Sequence, residues 1–263
     1  MSFTRRSLTA LALAALFTTP ALAQDKPIKV GVTAGPHAEI FEVVKKVAER
    51  DGLKIQIVEF SDYIQPNAAL NAGDLDVNSY QHLPYLEAQV KDRGYKITNI
   101  GYTVNFPMGV YSKKVKDLGA LPSGARLGIP NDPTNGGRAL LVLESAGLIK
   151  LKTDAGLKAT PLDITENPKK IRIVELDAAQ LPRALDELDA AAINTNYAIP
   201  AGLSPVKDAI ATEGAKAPYV NIIAVRTQDK DKPEYLKLVK AYQSPEVKAF
   251  VEQKYQKAVV TSW

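Results

Sequence analysis

From residue 28 to the C-terminus, short strand-like runs alternate with amphipathic helical runs, and this alternation constrains the fold more than any other feature of the chain. Strand-like runs fall at 28–32, 54–60, 126–129, 172–175 and 191–194, and helical runs at 37–50, 67–72, 138–146, 179–188 and 233–240. Strands that alternate with helices assemble into parallel sheets covered by helices. In the first helix Ile40, Val43, Val44 and Val47 recur at helical spacing and form one apolar stripe. Glu39, Lys45, Lys46 and Glu49 then face water. Thr33 is placed to cap that helix and Gly52 to stop it. Two further strand-like segments, 104–111 and 219–225, bracket a βαβ-like block. A block that leaves one lobe and returns divides the chain into a discontinuous lobe I, 24–112 and 206–263, and a continuous lobe II, 113–205.

The first 23 residues read as a targeting segment. Arg5 and Arg6 form a basic region, Leu8 to Phe17 a short apolar core, and Pro20-Ala-Leu-Ala23 the small-residue cleavage pattern of a signal peptide. The Arg pair fits twin-arginine export as well as the general route. The apolar run is too short for a stable membrane span. Cleavage after Ala23 removes two basic residues and no acid, so the net charge falls from +4 to +2. A nearly balanced chain offers nucleic acid no basic face, so none is expected as a partner. The chain has no Cys, which excludes disulfides, thiolate metal sites and Cys nucleophiles.

The densest chemistry lies in Asp74-Leu-Asp-Val-Asn-Ser-Tyr-Gln-His-Leu-Pro-Tyr-Leu86. Residues two apart in extended chain share a face, which points Tyr80 and His82 the same way. Pro84 suits the first turn of a helix that Gly94 ends. Asp74 and Asp76 read as a solvated loop rather than a calcium site. Further on, the turn-forming run 131–137 leads into a helical pattern. Its Gly136 and Gly137 would let backbone approach a ligand, and Arg138 follows at the helix start, where a guanidinium can grip a carboxylate with two parallel bonds. The alternative for Arg138 is an ion pair with an acid such as Glu144. Asn194, Asn196 and Asn221 could offer amide oxygens to an ammonium. Asn221 lies inside an apolar run, so it either faces a cleft or is a costly buried polar group.

The segment 74–86 closely resembles the Asn-x-Phe-Gln-His-x-Pro-Tyr-Leu signature of the NlpA/MetQ family, the methionine-binding lipoproteins of ABC importers. Similar motifs recur in order: Lys29-Val-Gly-Val-Thr-Ala-Gly-Pro-His-Ala-Glu-Ile40, then 60–70, 130–140, Ile193-Asn-Thr-Asn-Tyr-Ala198 and 218–223. The resemblance implies a two-lobed α/β fold of the type II periplasmic-binding-protein class. Each lobe would be a mostly parallel sheet flanked by helices, with the ligand in the cleft between them. It implies methionine (D- or L-) as ligand, an ABC permease as partner, no catalysis, no cofactor and no metal, in a chain expected to be monomeric. Asn194 and Asn221 take the family's ligand-contacting positions, Arg138 the carboxylate, and Tyr63, Tyr80, His82 and Tyr85 the side-chain end of the pocket. The family has Phe at the position of Tyr80, so that hydroxyl needs a partner. The family also carries an acylated Cys that this chain lacks, from which a soluble periplasmic or secreted protein without a lipid anchor is expected.

Alternatives remain open at this point. Within the same class the ligand could be another small amino acid or a methionine derivative. In a different class, the chain would be a small α/β hydrolase or transferase using His82 as a general base. Against an enzyme stand the two His residues, His37 and His82, in no metal spacing, and the absence of a Gly-x-Ser-x-Gly elbow or P-loop.

Overall fold

The computed structural model describes residues 26–214 and 217–263, so the leader read at 1–23 lies outside the described residues. In chain order the elements begin β1 (Ile28–Thr33), α1 (Pro36–Arg50), β2 (Ile55–Phe60), α2 (Gln65–Ala72), β3 (Val77–Asn78), α3 (Leu83–Arg93) and β4 (Ile97–Asn105). They continue with β5 (Gly109–Tyr111), β6 (Arg126–Pro130), α4 (Pro133–Ser145), β7 (Lys150–Leu151), β8 (Ile164–Glu166) and β9 (Arg172–Leu176). Next come α5 (Leu181–Ala184), β10 (Ala190–Ile193), α6 (Thr195–Ala198) and β11 (Ala211–Thr212). The chain closes with β12 (Val220–Arg226), α7 (Pro233–Tyr242), α8 (Pro245–Tyr255) and β13 (Val260–Thr261).

The strands form two main sheets, ordered β13-β4-β12-β3-β1-β2 and β11-β5-β10-β6-β9, with β7 and β8 paired separately. The α/β class holds, but both sheets are mixed rather than mostly parallel. Parallel pairs join β1 to β2 and β3, and β6 to β9 and β10. Those strands are linked by crossovers containing helices, which return the chain to the same end of the sheet, and β1 and β6 each gain a parallel neighbour on both sides. The strands β5 and β12 instead arrive from the other sheet, and each pairs antiparallel with its neighbours. The chain leaves the first sheet after β4, enters the second at β5, and returns between β11 and β12. The second sheet therefore takes strands from 109–111 and 211–212, on either side of 113–205. The two crossings are tied together where the Glu213 N–H donates to the Met108 carbonyl at 2.9 Å.

Each sheet is covered on both faces. Phe41, Val44, Leu238 and Val251 pack α1, α7 and α8 on one face of the first sheet, while Leu70 and Leu86 seat α2 and α3 on the other. Leu140 and Leu143 of α4 cover one face of the second sheet, and Leu181, Leu185 and Ala198 cover the opposite face.

Local chemistry accounts for most element ends. Helix α3 begins at His82, whose ring accepts the Tyr85 N–H, and ends at a left-handed Gly94 with φ 70. Helix α1 starts at Gly35, φ 82, with Pro36 behind it and no side-chain cap. The cap expected from Thr33 is absent, because Thr33 is the last residue of β1 and its hydroxyl is buried without a partner. The apolar stripe of α1 is centred on Ile40, Phe41, Val44 and Ala48, with Val43 and Val47 at its margin. The helix expected over 179–188 shortens to α5, after which Leu185 and Leu188 continue in hydrogen-bonded turns that set the Asp189 N–H on the Arg126 carbonyl. Helix α8 has a readable signal in Ser244, whose hydroxyl caps the Val247 N–H ahead of Pro245.

Candidate ligand-binding site

The loops after β1, β2, β3, β6 and β10 all leave the carboxyl ends of their strands, where open α/β sheets place their ligand crevices. Here they converge on one cavity. Its lining includes all seven residues expected from the sequence: Tyr63, Tyr80, His82, Tyr85, Arg138, Asn194 and Asn221. Asn196 also lines it, together with His37, Gln81, Phe106, Asn135 and Thr195.

One end of the cavity is aromatic. Tyr63, Tyr80 and Tyr85 stand with ring centroids 6.0–6.2 Å apart. The hydroxyls of Tyr80 and Tyr85 both donate to the Tyr63 carbonyl, at 3.0 and 2.9 Å. The partner sought for the Tyr80 hydroxyl is thus main chain. Burial raises the pKa of both phenols, so they remain neutral donors. Tyr63 itself donates to Asn196 Oδ1 at 2.6 Å, and the Tyr197 hydroxyl donates to the Ser61 carbonyl at 3.2 Å. These two bonds and the Tyr63–Tyr197 ring contact, 5.0 Å between centroids, join the β2–α2 loop of the first sheet to α6 of the second.

His82 stands between this end and a polar one. Its Nδ1 accepts the Tyr85 N–H at 3.1 Å, which leaves the ring proton on Nε2 to donate to Asn135 Oδ1 at 3.2 Å. Burial, and secondarily the Arg138 charge, push its pKa down to about 3. The same oxygen of Asn135 accepts from Asn194 Nδ2 at 2.8 Å. Asn135 donates its own amide to Asp132, whose carboxylate caps α4 by accepting the Asn135 N–H. Burial raises the Asp132 pKa against these bonds. Asn194 Oδ1 and Asn196 Nδ2 are buried and have no partner. Asn221 on β12 pairs its backbone with His82 and is 5% exposed.

Arg138 is 2% exposed and occupies the second turn of α4 rather than its start. The α4 N-terminus is already capped by Asp132. Arg138 Nε and Nη2 form a two-pronged pair with Glu213 at 2.7 and 2.5 Å, and Nη2 also reaches the Phe106 carbonyl at 2.8 Å. The fork expected for a ligand therefore faces Glu213, while Nη1 makes none of these bonds. The Tyr219 ring covers the guanidinium at 4.3 Å. Glu144, the acid considered as a partner, instead accepts the Leu151 N–H.

The two glycines before Arg138 serve a different purpose from the one expected. A Cβ on Gly137 would meet the Leu157 carbonyl oxygen at 2.4 Å, and one on Gly136 the Pro130 carbonyl oxygen at 2.8 Å. They admit neighbouring protein backbone, not a ligand. Sequence reasoning also missed His37, Phe106, Asn135, Glu213 and Tyr219. The rings of the first two are in tilted contact, 4.6 Å between centroids, and burial pushes the His37 pKa down to about 3. Of the five, Asn135 had a usable signal in its position within the turn-forming run.

Two helix-covered sheets with a cavity at their joined strand ends define an α/β solute-binding fold. The chain belongs to the NlpA lipoprotein family, whose model matches residues 28–263. It is similar to a solved nutrient-binding protein from Burkholderia cenocepacia bound to methionine, with 60% identity, a TM-score of 0.88, and coverage of 90% of this chain and 100% of that one. A periplasmic substrate-binding protein of an ABC transporter from Coxiella burnetii is 52% identical, with a TM-score of 0.87 and coverage of 89% and 100%. The D-methionine-binding lipoprotein MetQ of Salmonella typhimurium is 49% identical over 239 residues, covering 90% of this chain and 88% of its own.

These relatives correct one expectation. A soluble protein without a lipid anchor was read from the missing Cys. The family is described as lipoproteins and its members carry that name, which implies association with a membrane through lipid. The Cys count of the chain is therefore no ground for placing it free in solution. Among the described residues no helix is long and apolar enough to cross a membrane.

Proposed function

We propose that this chain is the extracytoplasmic substrate-binding protein of an ABC importer, that it captures methionine, and that it delivers it to the membrane permease. The observation that carries this reading is a cavity with two chemically different ends. Arg138 Nη1, the unpartnered Asn194 Oδ1 and the amide of Asn221 suit the carboxylate and ammonium of an amino acid. Tyr63, Tyr80, Tyr85 and His82 offer ring faces and edges to a linear thioether, a contact that contributes about 0.3–1.5 kcal/mol beyond burial. The similarity to methionine-binding relatives supports the same choice.

In this reading the two sheets are the two lobes, with 113–205 and its flanking strands moving against the rest about the outgoing crossing at 106–108 and the return crossing that begins at Glu213. His82, the general base of the enzymatic alternative, is not set up for that role. The lone pair of His82 that a general base would use accepts the Tyr85 N–H, and a pKa of about 3 makes it a poor base near neutral pH. We therefore assign it no enzymatic role. The test is mass spectrometry of the small molecule released from denatured protein, followed by displacement assays with methionine, leucine and glutamine. Methionine should be the molecule released and the strongest competitor. Release of another amino acid, or a clear preference for glutamine, would reject the substrate assignment.

A further inference from the structure

The buried Arg138–Glu213 pair gives the cavity a charge balance that the binding function alone does not require. Among the described lining residues Arg138 bears the only formal charge, since burial keeps His37 and His82 neutral. The Glu213 side chain is 5% exposed and the Arg138 side chain 3%. In so little solvent each charge must be compensated locally. Asp132, the next carboxylate, spends its oxygens on Thr134 and Asn135 at the end of α4 and does not line the cavity. Glu213 also sits on the return crossing and is tied by its backbone to Met108 on the outgoing one. Arg138 reaches that outgoing crossing through the Phe106 carbonyl.

We propose that Glu213 is a positioning residue that sets the charge preference of the site. It holds the Arg138 fork, leaves Nη1 for the ligand, and cancels the guanidinium charge, so the cavity accepts a ligand of zero net charge. This rests on the amino-acid reading above. A zwitterion satisfies the site: its carboxylate meets Nη1, and its ammonium meets the unpartnered Asn194 oxygen. A carboxylate without an ammonium would bring an uncompensated negative charge into the cavity.

The test compares methionine with desamino-methionine, which keeps the carboxylate and thioether chain but lacks the ammonium. Calorimetry on the full chain should give a strong preference for methionine. Glu213→Gln keeps the shape and leaves the guanidinium uncompensated, so the preference should fall by about tenfold or more, as the loss of a charged partner predicts. Glu213→Asp keeps the charge and should keep the wild-type preference, whereas a merely structural role would tolerate the isosteric Gln better than the shorter Asp. An unchanged preference in folded Glu213→Gln overturns the proposal. So does equal binding of the two ligands by the wild-type protein, a measurement that needs no variant. Failure of the wild-type protein to bind methionine at all would instead reject the methionine reading, and the proposal with it.

Discussion

The two ends of the cavity are built on opposite principles. At the aromatic end the phenol oxygens of Tyr63, Tyr80 and Tyr85 are already bonded to protein, two of them to one carbonyl. What that end presents to a ligand is therefore ring surface. At the polar end Asn194 Oδ1 and Asn196 Nδ2 are buried without partners, and Arg138 has one nitrogen outside its pair with Glu213. Buried polar atoms left unmatched are costly, so they mark where a ligand supplies the missing bonds. One end selects by shape and the other by hydrogen bonding, and the two should respond differently to substitution.

The largest effect is expected at the polar end. Arg138→Ala removes a ligand donor and strands the buried Glu213, so affinity should drop more than about a hundredfold, the equivalent of roughly 3 kcal/mol. Arg138→Lys should fail as well, because an ammonium cannot reach two carboxylate oxygens and the Phe106 carbonyl in one plane. Calorimetry on both variants checks this, and near-normal affinity in Arg138→Ala would break the comparison.

The next effect concerns His82, which joins the two ends, and His37. Their folded-state pKa values of about 3 lie below the unfolded value near 6.5. As pH falls, the unfolded chain takes up protons before the native one does. The stability these residues contribute is then complete above about pH 6.5 and is lost progressively toward pH 3. Denaturation midpoints measured across that window should fall as pH falls, and His82→Gln should flatten the slope. Ligand affinity should stay flat between about pH 5 and 8, since neither ring titrates in the native state.

Two smaller effects separate the ends further. Asn194→Ala deletes the unpartnered acceptor and should weaken binding roughly tenfold, about 1–2 kcal/mol, in the same calorimetric assay. Tyr80→Phe removes a hydroxyl bonded only to main chain. It should leave ligand preference unchanged and reduce stability by no more than about 1 kcal/mol in chemical denaturation. A change of ligand preference in Tyr80→Phe would mean that the aromatic end also selects through hydrogen bonds.

The legible parts of the molecule were those encoded locally. Pro84 and Gly94 mark α3 at its first turn and its end, each through its own backbone chemistry, whereas the His82 cap emerges only in the structure. The spacing of Tyr80 and His82 placed both in the cavity, while the run 131–137, read as a turn ahead of a helix at 138, already contains the start of α4 at Pro133. What stayed hidden depends on contacts between distant residues. Glu213 pairs with Arg138 across 75 positions, and no local pattern distinguishes it from a surface acid. Gly136 and Gly137 signalled close approach correctly, but the sequence does not say what approaches, and the answer is Pro130 and the 157–159 backbone. Thr33 looked like a cap because its distance from the helix was right, whereas the chain stays extended through it and turns at Gly35. The direction of β5 and β12 was equally unreadable, because it depends on the crossing between sheets.

The bonds from Tyr63 to Asn196 and from Tyr197 to the Ser61 carbonyl, described above as joining loop to helix, also bear on timing. Separation of the two sheets at this seam requires both bonds to break and the Tyr63 and Tyr197 rings to part. Residence time then becomes a property of this latch rather than of the ligand contacts alone. The same contacts must part for a ligand to enter, so weakening them should shorten occupancy through a faster dissociation rate and speed association as well. The chain would thereby have a means of setting how long its cargo is held that is separate from which cargo it selects.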